Sequence, residues 1–373
     1  MAERLPLQGR RVAEVLATST GGVGTHVRAV LPALAAGGAD VRVCGPTATE
    51  GLFGFTTAGA GFTPVEISAG LSPGADARAV AALRRATADA DLVHAHGLRA
   101  GLVAAAARAR SGRPLVLTLH NALPERGGAL RRALRLAERA TIRSADVVLA
   151  ASGDLAENAW RQGARDVRVA PVSAPPLPAP ARPAAEVRAE LGVADGRSLV
   201  VAVGRLHPQK GYDVLLDAAA WWAAAPRPPL VAVAGDGPLH DELAARIAAE
   251  RLPVVLLGRR GDVADLLAAA DLAVLPSRWE ARSLTAQEAL RAGTPLVATR
   301  TGGLPELLGD GAALVPVGDA AALADAVTGL LGDPARARAL AEAGSRQAAT
   351  WPDEAATARQ LVALYRELLG APR

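Results

Sequence analysis

Residues 199–211 read LVVAVGRLHPQKG and join an uninterrupted apolar run to a glycine-containing basic loop. The run 199–203 has no polar residue, which is typical of a strand buried on both faces of a parallel sheet. Arg205 and Lys210 follow it in the loop, and a helical pattern begins after Gly211. Because open α/β sheets bind ligands at the carboxyl ends of their strands, we expect both basic side chains at a binding edge.

The same alternation of apolar strand, turn and Ala-rich helix recurs along the chain and predicts doubly wound α/β sheets. The strands predicted in the first half are 12–17, 41–45, 92–96, 115–120 and 147–150. Those predicted in the second half are 199–203, 230–234, 254–257, 272–275, 296–298 and 313–315. Two of the intervening helices are predicted at 25–36 and 99–110.

A proline-rich segment, 171–183 (PVSAPPLPAPARP), interrupts this alternation and is predicted to be a stiff linker. It separates an N-terminal domain, 1–170, from a C-terminal domain, 184–350, and 373 residues are enough for both. The last segment, 351–373, is predicted to be largely helical. One face of that helix carries Leu361, Leu364, Tyr365 and Leu368.

Composition narrows the class of protein. The formal net charge is only +4, and no basic run is interleaved with aromatic residues, so nucleic acid is not the predicted partner. Cys44 is the only cysteine, which excludes an internal disulfide and favours a reducing compartment. The apolar run 12–17 contains Glu14 and predicts a strand, not a signal peptide. No run reaches the roughly 18 apolar residues of a membrane span, and a cytoplasmic protein is expected.

Lys210 is the only lysine of the chain, against 40 arginines. Since arginine is used at every other basic position, the single lysine indicates a site that needs the compact point charge of an ammonium group. A guanidinium instead forks across two oxygens. Arg205 and Lys210 together therefore predict a diphosphate site. The alternative is a solvated loop with two surface charges.

Residues 276–290 (PSRWEARSLTAQEAL) follow the predicted strand 272–275, and a helix is expected to begin near 283–284. Glu280 then lies in the loop and Glu288 in the helix. The first carboxylate can accept hydrogen bonds from sugar hydroxyls and the second from a ribose diol, and burying either without donors would be costly. The spacing alone favours two unrelated surface glutamates.

A glycine-rich loop, 19–26 (STGGVGTH), connects the first strand to the first helix. Its glycines let the backbone approach a phosphate at the N-terminus of the helix. The spacing is neither the dinucleotide-binding GxGxxG nor a P-loop. A tight strand-to-helix turn explains the loop equally well.

These segments together resemble glycosyltransferase family 4. The resemblance rests on GGVGTH (21–26), HAHG (94–97), LTLHN (117–121), GRLHPQKG (204–211), AGDGPL (234–239), the run 276–299 and GGLPEL (302–307). It implies the GT-B fold, in which two Rossmann-like domains face each other across a cleft and the last helix crosses back to the first domain. It also implies transfer of a sugar from a nucleoside diphosphate to an acceptor, with retained anomeric configuration and no metal or other cofactor.

The resemblance implies four catalytic residues. Arg205 and Lys210 would bind the diphosphate and stabilise the charge of the leaving group. Glu280 would contact hydroxyls of the donor sugar, and His120 would lie beside the reacting sugar. The implied donor-binding set is Gly22, Gly24, Arg205, Lys210, Arg282, Ser283, Leu284 and Glu288. The family usually has Gly-Phe-Gly where this chain has 281–283, Ala-Arg-Ser, so Arg282 is also a candidate contact for the diphosphate or an anionic acceptor.

Several alternatives remain open at this point. A sugar-nucleotide epimerase, a coenzyme-dependent dehydrogenase and an inactive nucleotide-sugar-binding subunit are the competing functions. His94 and His96 suggest a metal pair, but a packed or hydrogen-bonded core histidine is more common. The segment 129–143 is a basic amphipathic helix with Arg131, Arg135 and Arg139 in one stripe, which predicts either a solvated face or peripheral contact with the inner face of a membrane. The donor base, the sugar and the acceptor are not predicted.

Overall fold

The computed structural model describes residues 5–19, 21–108, 111–122, 128–170 and 172–370, with only the backbone described for 128–131. The chain divides into two units. The first comprises Met1–Ser173 and Pro352–Arg373, and the second comprises Ala174–Trp351. None of the described helices is long and apolar enough to cross a membrane.

The first unit contains a parallel sheet of seven strands in the order β3-β2-β1-β4-β5-β6-β7. The strands are β1 Arg11–Leu16, β2 Asp40–Gly45, β3 Gly61–Pro64, β4 Leu92–His96, β5 Leu115–Leu119, β6 Val147–Ala150 and β7 Val167–Val169. The helices are α1 Gly22–Ala36, α2 Thr47–Phe53, α3 Pro73–Ala86, α4 Leu98–Arg108, α5 Gly128–Ser144, α6 Gly153–Gln162 and α15 Glu354–Leu369.

The last helix, α15, belongs to the core of the first unit. Its Leu361, Leu364 and Tyr365 are buried in one cluster with β1 and α1, and Leu368 packs against that cluster. The predicted apolar face is confirmed. The helix begins at Glu354, later than the sequence suggested, because Pro352 precedes it and the Asp353 carboxylate accepts a hydrogen bond from Ala356 N at 2.6 Å.

The second unit contains a parallel sheet of six strands in the order β10-β9-β8-β11-β12-β13. The strands are β8 Leu199–Val203, β9 Leu230–Ala234, β10 Val254–Leu256, β11 Leu272–Leu275, β12 Leu296–Thr299 and β13 Ala313–Val315. The helices are α7 Ala184–Glu190, α8 Tyr212–Ala223, α9 His240–Glu250, α10 Val263–Ala269, α11 Leu284–Arg291, α12 Leu304–Leu308, α13 Ala320–Leu331 and α14 Pro334–Ala349.

Both faces of this second sheet are buried, which confirms the doubly wound prediction. Along β8, Val200 and Ala202 belong to one core cluster, while Leu199 and Val201 belong to a second cluster on the other face. Helices such as α8 and α11 supply the partners on the two sides. The apolar run of β8 is therefore uninterrupted because the strand is buried on both faces, as predicted.

All eleven predicted strands are present, with differences of one residue at some ends. β3 and β7, the two edge strands of the first sheet, were not predicted, because they are only half-buried and carry no long apolar run. The predicted helix 99–110 begins at Leu98, and its last two residues lie outside the described part.

The order of strands defines where each sheet binds ligands. In the second unit the direction of winding reverses between β8 and β11, and in the first between β1 and β4. Ligands of doubly wound sheets bind at the carboxyl ends of such neighbouring strands. The loops at these two positions are 204–211 with 276–283, and residues 17–19 and 21 with the residues after β4.

Candidate active site

The loops after β8 and β9 pack backbone against backbone. A Cβ on Gly235 would lie 1.9 Å from the carbonyl oxygen of Gly204, and one on Gly237 would lie 2.5 Å from that of Leu206. Leu206 N also donates to Asp236 O at 3.0 Å. Glycine is therefore required here by close approach of the two loops, which fixes the shape of the segment that carries Arg205.

The loop after β11 is held against the Lys210 loop in the same way. A Cβ on Gly211 would lie 2.1 Å from Pro276 O. Arg278 N donates to Gln209 O at 2.7 Å, and the Gln209 side-chain amide donates to Trp279 O at 2.9 Å. The two loops thus form one preorganised edge of the second sheet.

Lys210 and Glu280 meet at this edge. Lys210 Nζ donates to Glu280 Oε1 at 2.6 Å, and Ser277 Oγ donates to the same oxygen at 2.8 Å. The side chains of Lys210 and Glu280 are 19% and 10% exposed. Within the described part of the chain, Glu280 Oε2 has no hydrogen-bond partner, and it remains able to accept a hydrogen from a hydroxyl.

Arg205 lies five residues before Lys210 in the same loop and is exposed. Among the described residues it forms no ion pair. Burial and the nearby positive charge of Arg205 together lower the pKa of His207. Arg205 therefore contributes an uncompensated charge at this edge, whereas the charge of Lys210 is balanced by Glu280.

Glu288 lies on α11, whose N-terminus is capped by the Ser283 hydroxyl, which accepts from Ala286 N at 3.3 Å. The helix therefore begins at Leu284, as predicted. Burial raises the pKa of the Glu288 carboxyl, and the positive charges of Arg291 and Lys210 partly oppose that rise. The carboxylate is half-buried on the helix that follows the Glu280 loop.

Arg282 packs against an aromatic side chain. Its guanidinium lies 5.7 Å from the centre of the Trp351 ring, and Nε and Nη2 are buried with no hydrogen-bond partner in the described part. Burial lowers the pKa of Arg282 to about 10, although the Glu306 carboxylate opposes this effect. In the described structure no contact joins this guanidinium to Lys210 or Glu280. The side chain packs inside the second unit.

The glycine-rich loop of the first unit precedes α1. Gly22 is the first residue of that helix and is exposed, and Ser19 Oγ accepts from Gly24 N at 3.3 Å. A Cβ on Gly24 would lie 2.2 Å from the ring of Phe53, so packing alone requires a glycine there. Thr20 lies outside the described residues.

A buried polar cluster surrounds His120 at the end of β5. His120 Nε2 lies 3.3 Å from His96 Nδ1, and His96 Nε2 lies 2.7 Å from Glu14 Oε2. Tyr365 of α15 donates to Glu14 Oε1 at 2.7 Å. Sequence reasoning identified the histidines but missed Glu14 and Tyr365 as their partners. The detectable signal was Glu14 itself, a carboxylate inside a strand that is otherwise apolar.

Burial and charge set the protonation of this cluster. Burial alone would raise the pKa of Glu14, but interactions with His94 and His96 hold it far below its usual range. Burial lowers the pKa of His26 to about 3 and that of His96 to about 4, and it brings the pKa of His120 well below 6.5. At neutral pH the cluster therefore combines one carboxylate with neutral imidazoles at His26, His96 and His120.

The ligand atoms of Glu14, His94 and His96 all lie within 4.8 Å of one another. Among the described residues this is the one group of three that meets the distances needed for a metal ion. The expectation of a hydrogen-bonded role for His94 and His96 is met by their contacts with Tyr365, Thr118 and Glu14.

Comparison with known proteins decides the family. Residues 21–175 match the model described as glycosyl transferase 4-like domain, and residues 197–333 match glycosyl transferases group 1. D-inositol 3-phosphate glycosyltransferase 1 of Catenulispora acidiphila is 31% identical over 335 residues, which are 83% of this chain and 80% of the relative. The chain belongs to glycosyltransferase family 4. α-Maltose-1-phosphate synthase of Mycolicibacterium smegmatis is also 31% identical, over 75% of this chain and 79% of the relative.

Solved structures show that this glycosyltransferase has the GT-B fold. HepE of Anabaena in complex with UDP-glucose superimposes with a TM-score of 0.81 at 24% identity, covering 96% of this chain and 99% of the other. WaaG, a glycosyltransferase involved in lipopolysaccharide biosynthesis, superimposes with a TM-score of 0.74 at 20% identity, covering 95% and 99%. Its family relationship identifies the protein as a glycosyltransferase, and not as an epimerase or a dehydrogenase.

Proposed function

We propose that the enzyme transfers a hexose from a UDP- or GDP-linked donor to an acceptor hydroxyl, with retention of anomeric configuration and without a metal ion. The acceptor would belong to a cell-envelope glycan, a glycolipid or a natural product. The observation that carries the proposal is the Lys210–Glu280 pair, fixed by two closely packed loops at the carboxyl ends of β8 and β11. This arrangement favours an active enzyme over an inactive nucleotide-sugar-binding subunit.

The charges at this edge suit the loss of a nucleoside diphosphate. As the bond between the anomeric carbon and the phosphate oxygen breaks, negative charge develops on the leaving group. Arg205 supplies a net positive charge to stabilise it, and Lys210 supplies a second cation whose position is fixed by Glu280. Preorganised charges of this kind act on the transition state more strongly than on the ground state.

The two carboxylates are suited to the neutral parts of the donor. Glu280 Oε2 can accept a hydrogen bond from a sugar hydroxyl, and Glu288 can accept from a ribose diol. The backbone amides of Arg282, Ser283 and Leu284, at the start of α11, would face the diphosphate, as would that of Gly22 at the start of α1, while Gly24 would allow the loop to approach it. His120 would contact the reacting sugar from the first unit.

The donor is identified by calorimetric titration of UDP, GDP, ADP and dTDP without added metal, followed by the corresponding sugar nucleotides. We expect one diphosphate to bind, and to lose affinity for the Lys210→Ala variant. The anomeric configuration of the product, read by proton NMR, tests retention. An inverted product would contradict the retaining mechanism, and absence of binding across the panel would favour the inactive subunit.

We also propose that the segment 129–143 contacts an anionic membrane surface. On α5, Leu136 is 69% exposed, and the exposed Arg135 and Arg139 lie on the same face of the helix. An apolar side chain flanked by cations suits peripheral binding to anionic lipid. The side chain of Arg131, the third member of the predicted stripe, lies outside the described residues.

Co-sedimentation with phosphatidylglycerol vesicles tests this contact. We expect binding that weakens with added salt and falls in the double variant Leu136→Ala/Arg139→Ala. Arg161→Ala removes another exposed positive charge, from α6, and serves as the control. Equal binding by the double variant and the wild type would exclude this helix as the contact.

A further inference from the structure

Glu14 is a carboxylate with no exposed surface at the centre of the first sheet. Such a group is costly to bury unless its oxygens receive hydrogen bonds. Oε1 accepts from the Tyr365 hydroxyl at 2.7 Å, and Oε2 lies 2.7 Å from His96 Nε2 and 3.3 Å from His94 Nδ1. A carboxylate placed among three donors defines where each of their protons must lie.

The proton positions follow from the distances. An ionised Glu14 can only accept, so His96 carries its proton on Nε2 and, when neutral, has a lone pair on Nδ1. His96 Nδ1 faces His120 Nε2 at 3.3 Å, so His120 is the donor of that hydrogen bond. A neutral His120 must then carry its lone pair on Nδ1. The carboxylate on β1 thereby determines the tautomer of a histidine two strands away.

The hydrogen bonds of Tyr365, His94 and Thr118 complete the cluster. Because the Tyr365 hydroxyl donates to Glu14, the Tyr365 oxygen is the acceptor for His94 Nδ1, which lies 2.5 Å away. His94 Nε2 then accepts from Thr118 Oγ1 at 2.6 Å. Each ring nitrogen of His94 and His96 has a partner, so the protons form one consistent set.

A metal ion held by Glu14, His94 and His96 agrees less well with these distances. Ligand atoms around a tetrahedral zinc lie about 3.3 Å apart, because each is about 2.0 Å from the ion. The separation of 2.7 Å between Glu14 Oε2 and His96 Nε2 is a hydrogen-bond distance and is too short for two ligands of one ion, whereas the 3.3 Å between Glu14 Oε2 and His94 Nδ1 fits either arrangement. The geometry therefore favours a chain of hydrogen bonds over an ion site.

We propose that Glu14 and His96 are positioning residues that hold His120 in the Nε2–H tautomer, so that its Nδ1 accepts a hydrogen bond from a substrate hydroxyl. The proposal rests on the proposed place of His120 beside the reacting sugar. It adds two residues of the first unit that do not themselves touch substrate. His120 is half-buried, and in the described part of the chain its Nδ1 makes no hydrogen bond.

Nitrogen NMR of the full chain, labelled on its six histidines, reads the tautomer without any substrate. In the wild type we expect His120 with a protonated Nε2 and an unprotonated Nδ1. In Glu14→Gln the obligate acceptor is lost and the His96 proton can move to Nδ1, so His120 should shift towards the Nδ1–H tautomer. Thr118→Val removes a hydrogen bond from the same cluster but not from Glu14, His96 or His120, and should leave the His120 signals unchanged.

Activity provides a second measurement, with release of glucose from UDP-glucose as the first probe. We expect kcat to fall about tenfold or more in Glu14→Gln, with little change in the KM for the donor, and to stay near wild type in Thr118→Val. If Glu14→Gln does not fold, His96→Gln removes the ring nitrogen that faces His120 and is expected to give the same loss of the Nε2–H tautomer.

Three results would overturn the proposal that Glu14 and His96 hold the tautomer of His120. They are an Nδ1–H tautomer of His120 in the wild type, an unchanged tautomer in folded Glu14→Gln, and a stoichiometric metal ion in the purified protein. These outcomes are separate from the proposed function. Wild-type activity of His120→Ala would remove the catalytic place of His120, while the tautomer measurement would still decide whether Glu14 and His96 control it.

Discussion

At the residue scale, the contact between Lys210 and Glu280 determines both the position and the charge balance of the two groups. Each group would be unfavourable alone at its degree of burial, since the side chains are only 19% and 10% exposed. Together they are neutral and fixed 2.6 Å apart, and Ser277 supplies a further donor. The nearby Arg205 then supplies the net positive charge that a diphosphate requires.

The first prediction concerns this pair. We expect Lys210→Ala and Glu280→Ala each to lower kcat/KM at least ~100-fold, because the first removes a cation that stabilises the leaving group, the second removes an acceptor for a sugar hydroxyl, and each leaves its partner unpaired. Circular dichroism should show that both variants remain folded. Arg246→Ala on α9 breaks a surface ion pair with Asp217 of α8 and is the control. Turnover near the wild-type level in either site variant would refute the site assignment.

Strands were predictable from the sequence where their burial requires a continuous run of apolar residues. β8 and β9 are buried on both faces and read as continuous apolar runs, so the sequence located both without error. β3 and β7 are half-buried edge strands whose formation depends on pairing with β2 and β6, and no local pattern predicts that pairing. The sequence also marked Glu14 as unusual but could not name Tyr365 as its partner, because 351 residues separate them.

A site built from loops depends on how closely those loops approach. The sequence placed Arg205, Lys210, Glu280 and Glu288 in the correct elements, since motif order and strand ends fix those positions. It could not predict the environment of Arg282, whose guanidinium packs over Trp351 nearly 70 residues away in the chain. Nor could it show which glycines serve packing. Gly24, read as a donor contact, also leaves room for Phe53.

The second prediction tests loop packing with two glycines of similar conformation. Gly302 has φ +52° and a Cβ there would lie 2.0 Å from Glu280 O, whereas Gly318 has φ +76° with nothing within 4 Å. Both alanine variants place a side chain in the left-handed region, at a similar cost of about 1 kcal/mol. Only Gly302→Ala should displace Glu280 and lower kcat, by roughly tenfold or more. Equal activity of the two variants would show that the Glu280 loop tolerates displacement.

At the scale of the whole molecule, the two units differ in what acid does to them. The first unit holds His26 and His96, which are buried, and the half-buried His120 as neutral imidazoles with pKa values below 6.5, and Glu14 as a carboxylate with a depressed pKa. The second unit has His207, whose pKa is lowered but which is only partly buried, and the exposed His240. Each unit also has one glutamate whose pKa burial raises, Glu138 in the first and Glu288 in the second, so this opposing effect is present in both.

The third prediction is that the first unit loses stability earlier as the pH falls. A histidine whose folded-state pKa is depressed stabilises the fold above its unfolded pKa of 6.5, and this contribution is lost as the pH falls towards its folded value, about 4 for His96 and about 3 for His26. Each such group lowers the free energy of unfolding by up to about 1.4 kcal/mol per pH unit within that window. Hydrogen exchange at about pH 7.5 and about pH 5, corrected for intrinsic rates, should therefore show β1, β4 and β5 losing more protection than β8, β9 and β11. His26→Gln removes one titrating group and should reduce this difference, whereas a uniform loss across both sheets would show that the buried histidines do not control acid stability.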